Sequence, residues 1–588
     1  VRTETIGSNR INIYVDTVFD NLGRVSQQTE PYYYRGSPRL ITSQYDLLNR
    51  VTEKVTPATG RTTYRYGARS NQGMQVTKTE YRVGTSNTEN VVTVQARNSQ
   101  NQLVSVTDAN NTTTNYQYEQ FGNLARVTDV NNNTIAIDYD LLGRRQAMND
   151  PDMGLQEFRY DALGNVHWIR DAKSQTVSMN YDTLNRIRSR NESEGTTTWQ
   201  YDTGFMARGK LTQVNSSSNY QLAYVYDDRS RVRAESHTID ATTYVLTNDY
   251  DSLSRISNIQ YPTGFAVKYE YYSNGYLYSI RNTVTNKAIW RNLYQNAKGQ
   301  IERERVGDGL FTERFYNSAT GRLEFLHTGT GQQGSRNQVQ NLEYAFDSLG
   351  NLERRQDNNI NATETFSYDN LNRVRDVTLN GTLTRQHDYD ALGNILYKSD
   401  YAYNYLYGQA NNIDNFAGPH AVTSVRLNNS NTVNFRYDRN GNMVQGDGKT
   451  ISYTSFDKPL TISGNGTNLT FSYNYDYKRY KQVTPTKTTI YLNARWDVGT
   501  HYEEEVTAGD RERKHYIYAG SKVVALYTMK NAANEMRYLH KDHLGSVVKI
   551  TDETGAIVES LSYQAFGERR NASWSDAATQ LTSNITHH

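Results

Sequence analysis

The sequence predicts an all-β chain: a long antiparallel β-hairpin repeat sheet. Three observations carry this. A short phrase recurs along the chain, apolar alternation precedes its copies, and a second class of turn signal lies between them. Repeats at such a period outrank every other signal in setting the fold.

The phrase runs aromatic, usually Asp, two variable residues, Gly or Asn, Arg or Asn, then an aliphatic. It stands as Phe19-Asp20-Asn21-Leu22-Gly23-Arg24-Val25 and as Tyr45-Asp46-Leu47-Leu48-Asn49-Arg50-Val51. The clearest run covers 118–124, 139–144, 160–166 and 181–187, with further copies from Tyr226, Tyr250, Phe346, Tyr368, Tyr389 and Tyr437. Looser versions start at Tyr201, Tyr271 and Phe315. The spacing is about 20–25 residues, as in stacked repeat architectures.

Each residue type has a backbone reason. Asp accepts hydrogen bonds from N–H groups two residues on, closing an Asx-type turn, and Gly or Asn tolerates the left-handed conformation. Ahead of the phrase, Ile135, Ile137 and Tyr139 form one apolar face, as do Val177, Met179 and Tyr181, Trp199 with Tyr201, and Val267 with Tyr269 and Tyr271. Period two over five to eight residues predicts a half-buried strand. The second turns are Asp108-Ala109-Asn110-Asn111, 129–133 and 171–174. Strand, turn, strand, turn with such short links predicts antiparallel pairing.

Two strands per repeat predict roughly 50 strands, while open sheets rarely exceed about 10 without curling or splitting. A ribbon about 240 Å long and 20 Å wide, coiled on itself, would wrap a sphere of roughly 20 Å radius. A sandwich, propeller or solenoid would also satisfy the repeat. Low hydrophobicity favours the shell: apolar residues are 36% of 588 and mean hydropathy is −0.81. Disorder fits poorly with 48 Tyr, 15 Phe and 5 Trp.

The formal charge is +2, with no like-charge run to mark a nucleic-acid partner. With no Cys, disulfides and thiolate zinc sites are excluded. Apolar runs such as 523–527 are far too short for a transmembrane segment. The chain opens Val1-Arg2-Thr3 without Met or a signal-like segment, and is expected to be a piece of something longer.

No catalytic, cofactor-binding or metal residues are assigned, and no cofactor is expected. His540 and His543 flank Asp542, but spacing supplies no third ligand, so hydrogen bonding that fixes a turn is the expected role. The repeated Asp residues share a turn role rather than one special catalytic environment. Glu503, Glu504 and Glu505 are expected to form a solvated edge. The Gly-containing turns lack the strand-to-helix context of phosphate loops. Tyr401, Tyr403, Tyr405 and Tyr407 are expected on one face, as a cross-strand aromatic ladder or as a lumen wall holding an unfolded guest. Asn111-Thr112-Thr113 matters only on a eukaryotic secretory route, and His587-His588 reads as a natural terminus or a tag remnant.

The phrases resemble the YD repeats of the rearrangement hotspot (RHS) family. Tyr538-Leu539-His540-Lys541-Asp542-His543-Leu544-Gly545-Ser546-Val547 is similar to the opening of the RHS-repeat-associated core, and 551–559 and 562–568 continue that pattern in order. Gly418-Pro419-His420-Ala421-Val422-Thr423-Ser424-Val425 and 437–443 resemble the insecticidal Tc-type toxin and SpvB-associated branch. On this reading 1–535 is a YD-repeat β-shell and 536–588 the truncated start of the core. The resemblance implies a cocoon-like shell that encloses a C-terminal toxin or effector until delivery from a bacterium by type VI or Tc-type machinery, in competition or host intoxication. It also implies an autocleaving aspartyl motif beyond the core. That motif is not in this sequence, nor are a variable toxin or an N-terminal plug, so no enzymatic activity is expected. The alternative is an extracellular recognition or adhesion module binding carbohydrate or protein.

Overall fold

A computed structural model of the chain describes residues 1–57, 60–68, 73–82, 90–331, 335–408, 416–492, 499–531, 533–576 and 583. Among these residues there are 54 β-strands and no helix. The all-β expectation holds, and the strand count lies close to the roughly 50 expected from two strands per repeat. His587-His588 lies outside the described residues.

From Leu40–Tyr45 to Thr432–Asn434 each strand pairs antiparallel with the next in sequence. At the start, Asn12–Phe19 pairs with Arg2–Ile6, Val25–Thr29 and Tyr32–Tyr33. The ladder pauses at Phe435, whose N–H donates to Thr423 O, and resumes for 13 strands from Arg436–Tyr437 to Ile557–Ser560. A small hairpin, Ser562–Tyr563 with Arg569–Arg570, follows. The chain is thus one long hairpin ribbon with two turn edges.

The first edge is made by the repeated phrase. Asp20 Oδ1 accepts the N–H of Leu22 at 2.9 Å and of Arg24 at 3.0 Å. The same pair of bonds recurs at Asp46, Asp140, Asp182 and Asp251. The fifth position takes the left-handed conformation, with φ of 77° at Gly23 and 63° at Asn49, where Gly and Asn cost least. The second edge is built alike: Asp108 Oδ1 accepts from Asn110 and Thr112, and Asn111 has φ of 63°. A β-bulge accompanies the first turn type, as where Asp138 pairs with Ala147 but Tyr139 with Arg145. Bulges add twist, which bends the ribbon.

Long-range bonds show how far the ribbon runs before meeting itself. Asn274 donates to Gly7 O across 267 residues, His420 pairs with Asp152 across 268, and Asn440 with Asp171 across 269. In each case a phrase-turn or phrase-like edge of the second circuit sits on the opposite edge of the first. Near the end the separation falls: Gln340 bonds Lys541 O across 201 residues and Arg570 bonds Glu364 across 206. Between Asp171 and Asn440 the ribbon passes through 24 strands. At about 4.8 Å per strand that is a circumference of about 115 Å and a diameter of about 37 Å. Subtracting about 5 Å of side chain on either side leaves a hollow about 27 Å across.

The main apolar core lies where the circuits overlap. Val214, Leu222, Leu246, Val267 and Ile280 of the first circuit and its continuation pack with Tyr480, Leu492, Tyr502 and Ile517 of the second. A ribbon with two wetted faces elsewhere explains why so little of the composition is apolar.

Candidate functional site: the tyrosine wall and its seams

In its fullest copies the phrase places a Tyr, an Asp and an Arg so that neighbouring repeats clasp each other. Tyr139 donates its hydroxyl to Leu124 O at 2.9 Å, and Tyr160 to Arg145 O, Tyr181 to Val166 O and Tyr271 to Ile256 O at 2.8 Å. The acceptor is the first strand residue after the preceding phrase turn. Where the preceding phrase carries an Arg, that Arg covers the ring: Arg144 lies 4.6 Å from the Tyr160 centroid, Arg186 4.4 Å from Tyr201 and Arg255 4.2 Å from Tyr271. Its own Asp holds the guanidinium, at 2.6 Å for Asp140–Arg144. The Arg50 and Arg144 guanidinium groups, and then their backbone N–H groups, hold the Asp46 and Asp140 carboxyls below the usual carboxylate range.

These tyrosines share one face of the ribbon, and that face is concave. Side chains from successive strands between Ile187–Glu192 and Leu277–Asn282 line a single cavity of about 1250 Å³. Tyr201, Tyr226, Tyr250 and Tyr271 come from the phrases, and Tyr475 and Tyr518 from the second circuit. Only a sheet curved toward this face brings nine neighbouring strands onto one void. Burial pushes the Tyr475 and Tyr518 phenols up to about 12, so the wall is neutral there near pH 7. Its arginines Arg190, Arg231 and Arg255 are paired with Glu192, Asp227 and Asp251. The cavity therefore offers ring surface and paired guanidinium groups over a wide concave area. The sequence pattern located these tyrosines. It gave no sign that Tyr475 would join them, because that residue comes from the second circuit and is brought there by the coiling.

Elsewhere the expected site residues take other roles. Tyr401 precedes the strand Ala402–Tyr407 and is exposed, and bulges between Ala402/Asn404 and Leu406/Tyr407 break the alternation. The expected aromatic ladder is thus corrected: among the described residues no ring contact joins these four tyrosines. Tyr407 instead donates to Ile395 O, and Arg426 covers Tyr403.

The acidic run is also corrected. Glu503 and Glu504 are buried, at 0% and 2% exposure, rather than forming a solvated edge. Tyr516 donates to Glu503, Tyr502 to Glu504, and buried Lys514 lies 2.8 Å from Glu505. Apolar neighbours on adjacent strands take both faces of this strand out of water, and the matching bases on Arg511–Ala519 make that affordable.

Asp542 accepts the N–H of Leu544 and Ser546, making the turn. His540 Nε2 lies 2.9 Å from Thr551 Oγ1, and the His543 ring rests on Tyr344 at 4.4 Å. Burial lowers both imidazoles to about 4. No group of three or more metal-ligating side chains converges among the described residues. Near the end of the chain, Glu364 is gripped by Arg355 at 2.6 Å and by Arg570 at 2.8 Å, a buried triad that fastens the last hairpin to the second circuit.

One edge has no such cover. The third turn residues Leu22, Leu48, Phe121, Leu142, Leu163, Leu184 and Leu253 are each about two-thirds or more exposed, all on the phrase-turn edge of the first circuit. In the second circuit their counterparts Leu349, Leu371 and Leu392 are half-buried in the seam.

The comparisons with known proteins agree with this geometry. Residues 97–134 match the RHS Repeat family model and 326–576 the Teneurin YD-shell model. A crystal structure of TcdB2-TccC3 superposes with a TM-score of 0.77 at 14% identity, covering 99% of this chain and 34% of that one. The Tc holotoxin pore of Photorhabdus luminescens gives 0.76 at 14% identity, covering 95% and 32%. The tRNA3(Ser)-specific nuclease WapA of Bacillus spizizenii is 27% identical over 184 residues, 28% of this chain and 8% of that protein. The chain thus spans about a third of the length of the solved structures it matches and far less of the nuclease. The resemblance to RHS and YD-repeat shells read from the sequence stands, and the shared fold is a Tc-type cocoon.

Proposed function

We propose that this RHS/YD-repeat chain is a shell segment that encapsulates a C-terminal toxin or effector polypeptide until delivery from a bacterium. The observation that carries the reading is the concave tyrosine wall around a cavity of about 1250 Å³, inside a circuit that strand spacing makes about 37 Å across. Most wall hydroxyls are engaged by backbone carbonyls, so a guest meets ring surface and many weak contacts rather than a few strong ones. Such a surface suits an unfolded or loosely folded passenger. In this reading the chain itself performs no catalysis. The exposed leucine edge seats another coil of the same kind, as the second circuit seats on the first, and Tc-type or type VI machinery carries the assembly.

The test is particle imaging of the chain with and without a fused C-terminal passenger. Equal outer dimensions with added internal density support encapsulation, and a passenger lying outside an unchanged hollow refutes it.

The match to the Teneurin YD-shell model supports a second reading, an extracellular recognition module for carbohydrate or protein. Saturable binding to a glycan panel by the chain alone would favour it.

A further inference from the structure

A smaller cavity of about 210 Å³ lies at the seam where the turn at Asp542 meets the second circuit. Five formally charged side chains line it: Glu304, Arg314, Lys522, Lys541 and Asp542. Glu304 is fully engaged. Its Oε1 takes Arg314 at 2.6 Å, and its Oε2 accepts the Trp290 indole N–H at 2.8 Å. Asp542 turns its Oδ1 to the N–H groups of Leu544 and Ser546. His540, also on the wall, is held neutral by burial at ordinary pH.

Two ammonium groups remain. Lys541 is half-buried and Lys522 is exposed, both lining the same cavity. The salt bridges among the described residues involve neither lysine. Burial, and then the charge of Lys522, disfavour the protonated form of Lys541, and the charge of Glu304, already shared with Arg314, offsets this only in part. Two like charges facing one partly dehydrated space are costly unless an anion shares it. The volume is below the roughly 300 Å³ at which drug-sized pockets begin, so the occupant is small. Arg314 gives its Nη2 to Glu304, so the cations without a carboxylate in bonding contact are the two ammonium groups, point charges of a kind suited to phosphate.

We propose that this seam cavity binds a compact oxyanion of the phosphate class between Lys541 and Lys522. The occupant would tie the turn at Asp542 to the strands carrying Glu304 and Arg314, and so strengthen the seam between the second circuit and the segment that follows it. This site is independent of the tyrosine wall and of any passenger.

Inorganic phosphate is the probe, titrated into the full chain at constant ionic strength with chloride as the reference, and followed by thermal unfolding and by ³¹P line broadening. Saturable stabilisation beyond chloride is expected. In Lys541→Met the half-saturating phosphate concentration should rise at least tenfold, and in Lys522→Met several-fold. Removing Lys522 relieves its repulsion of Lys541, so its variant should be at least as stable as the parent when phosphate is absent, which separates loss of binding from loss of fold. Unchanged half-saturation in both variants, or no stabilisation beyond chloride, overturns the proposal.

Discussion

Thr263 and His515 stand 252 residues apart and share a 2.7 Å hydrogen bond across the seam between circuits. His515 Nδ1 faces Tyr527 O at 2.7 Å, so it carries the proton and Nε2 accepts from the Thr263 hydroxyl. Burial among Tyr261, Phe265, Tyr502 and Tyr527 lowers this imidazole to about 4.

A pH dependence follows from that burial. The folded value lies below the ordinary 6.5, so the unfolded chain takes up the proton first as pH falls. The contribution is whole above 6.5 and is lost progressively toward 4, at up to about 1.4 kcal/mol per pH unit. His540 and His543 act in the same sense. Unfolding midpoints measured from pH 7.5 to 4.5 should fall, and His515→Gln should flatten part of that slope. A slope identical in parent and variant would remove His515 from the account.

The repeat clasp should be local. Tyr139→Phe removes the bond to Leu124 O and should cost about 1 kcal/mol. Arg144→Ala, which uncovers Tyr160 and frees Asp140, should cost about the same. Stability in such arrays is set by nearest neighbours. Hydrogen exchange should therefore quicken around the two flanking hairpins, while amides of the second circuit keep their protection.

The buried triad makes a larger prediction. Glu364→Gln leaves Arg355 and Arg570 facing each other without a counter-charge, at a cost of about 3–5 kcal/mol. The loss should concentrate where the last hairpin is fastened, so limited proteolysis should cut within 562–576 before anywhere else in the variant. Global unfolding with no early cut would contradict a fastening role.

At the exposed edge, Leu48→Ser with Leu142→Ser and Leu163→Ser should change stability by less than about 0.5 kcal/mol per site, because these side chains are already in water. The same triple variant should bind less of a hydrophobic dye and should lose any association with another YD-type coil. Strong destabilisation would mean that the edge is covered within the chain.

What the sequence made legible was local. Asp, then Gly or Asn, predicts a turn whose bonds form within five residues, and Asp20 and Asn49 behave as that chemistry requires. Alternation predicts strands, and the tyrosines line one face as expected. The seams were not legible, because nothing near Asp171 in the sequence points to Asn440. Glu503 and Glu504 looked solvated for the same reason: the bases that neutralise them and the layers that cover them come from other strands and another circuit. The row at Tyr401 failed differently, since a bulge re-aims a side chain without any change in the pattern of residue types.

The count of strands per circuit has a consequence for how such a chain can change length. Duplicating or deleting one repeat within the first circuit leaves every hairpin well formed, since each needs only its neighbours. It nevertheless advances all later pairs, so that Asn440 would no longer arrive opposite Asp171, nor His420 opposite Asp152. A change of one repeat is thus tolerated by the ribbon and penalised by the winding. The length between two seam partners is therefore constrained as a whole, and rearrangements that keep the seam should exchange whole circuits rather than single hairpins.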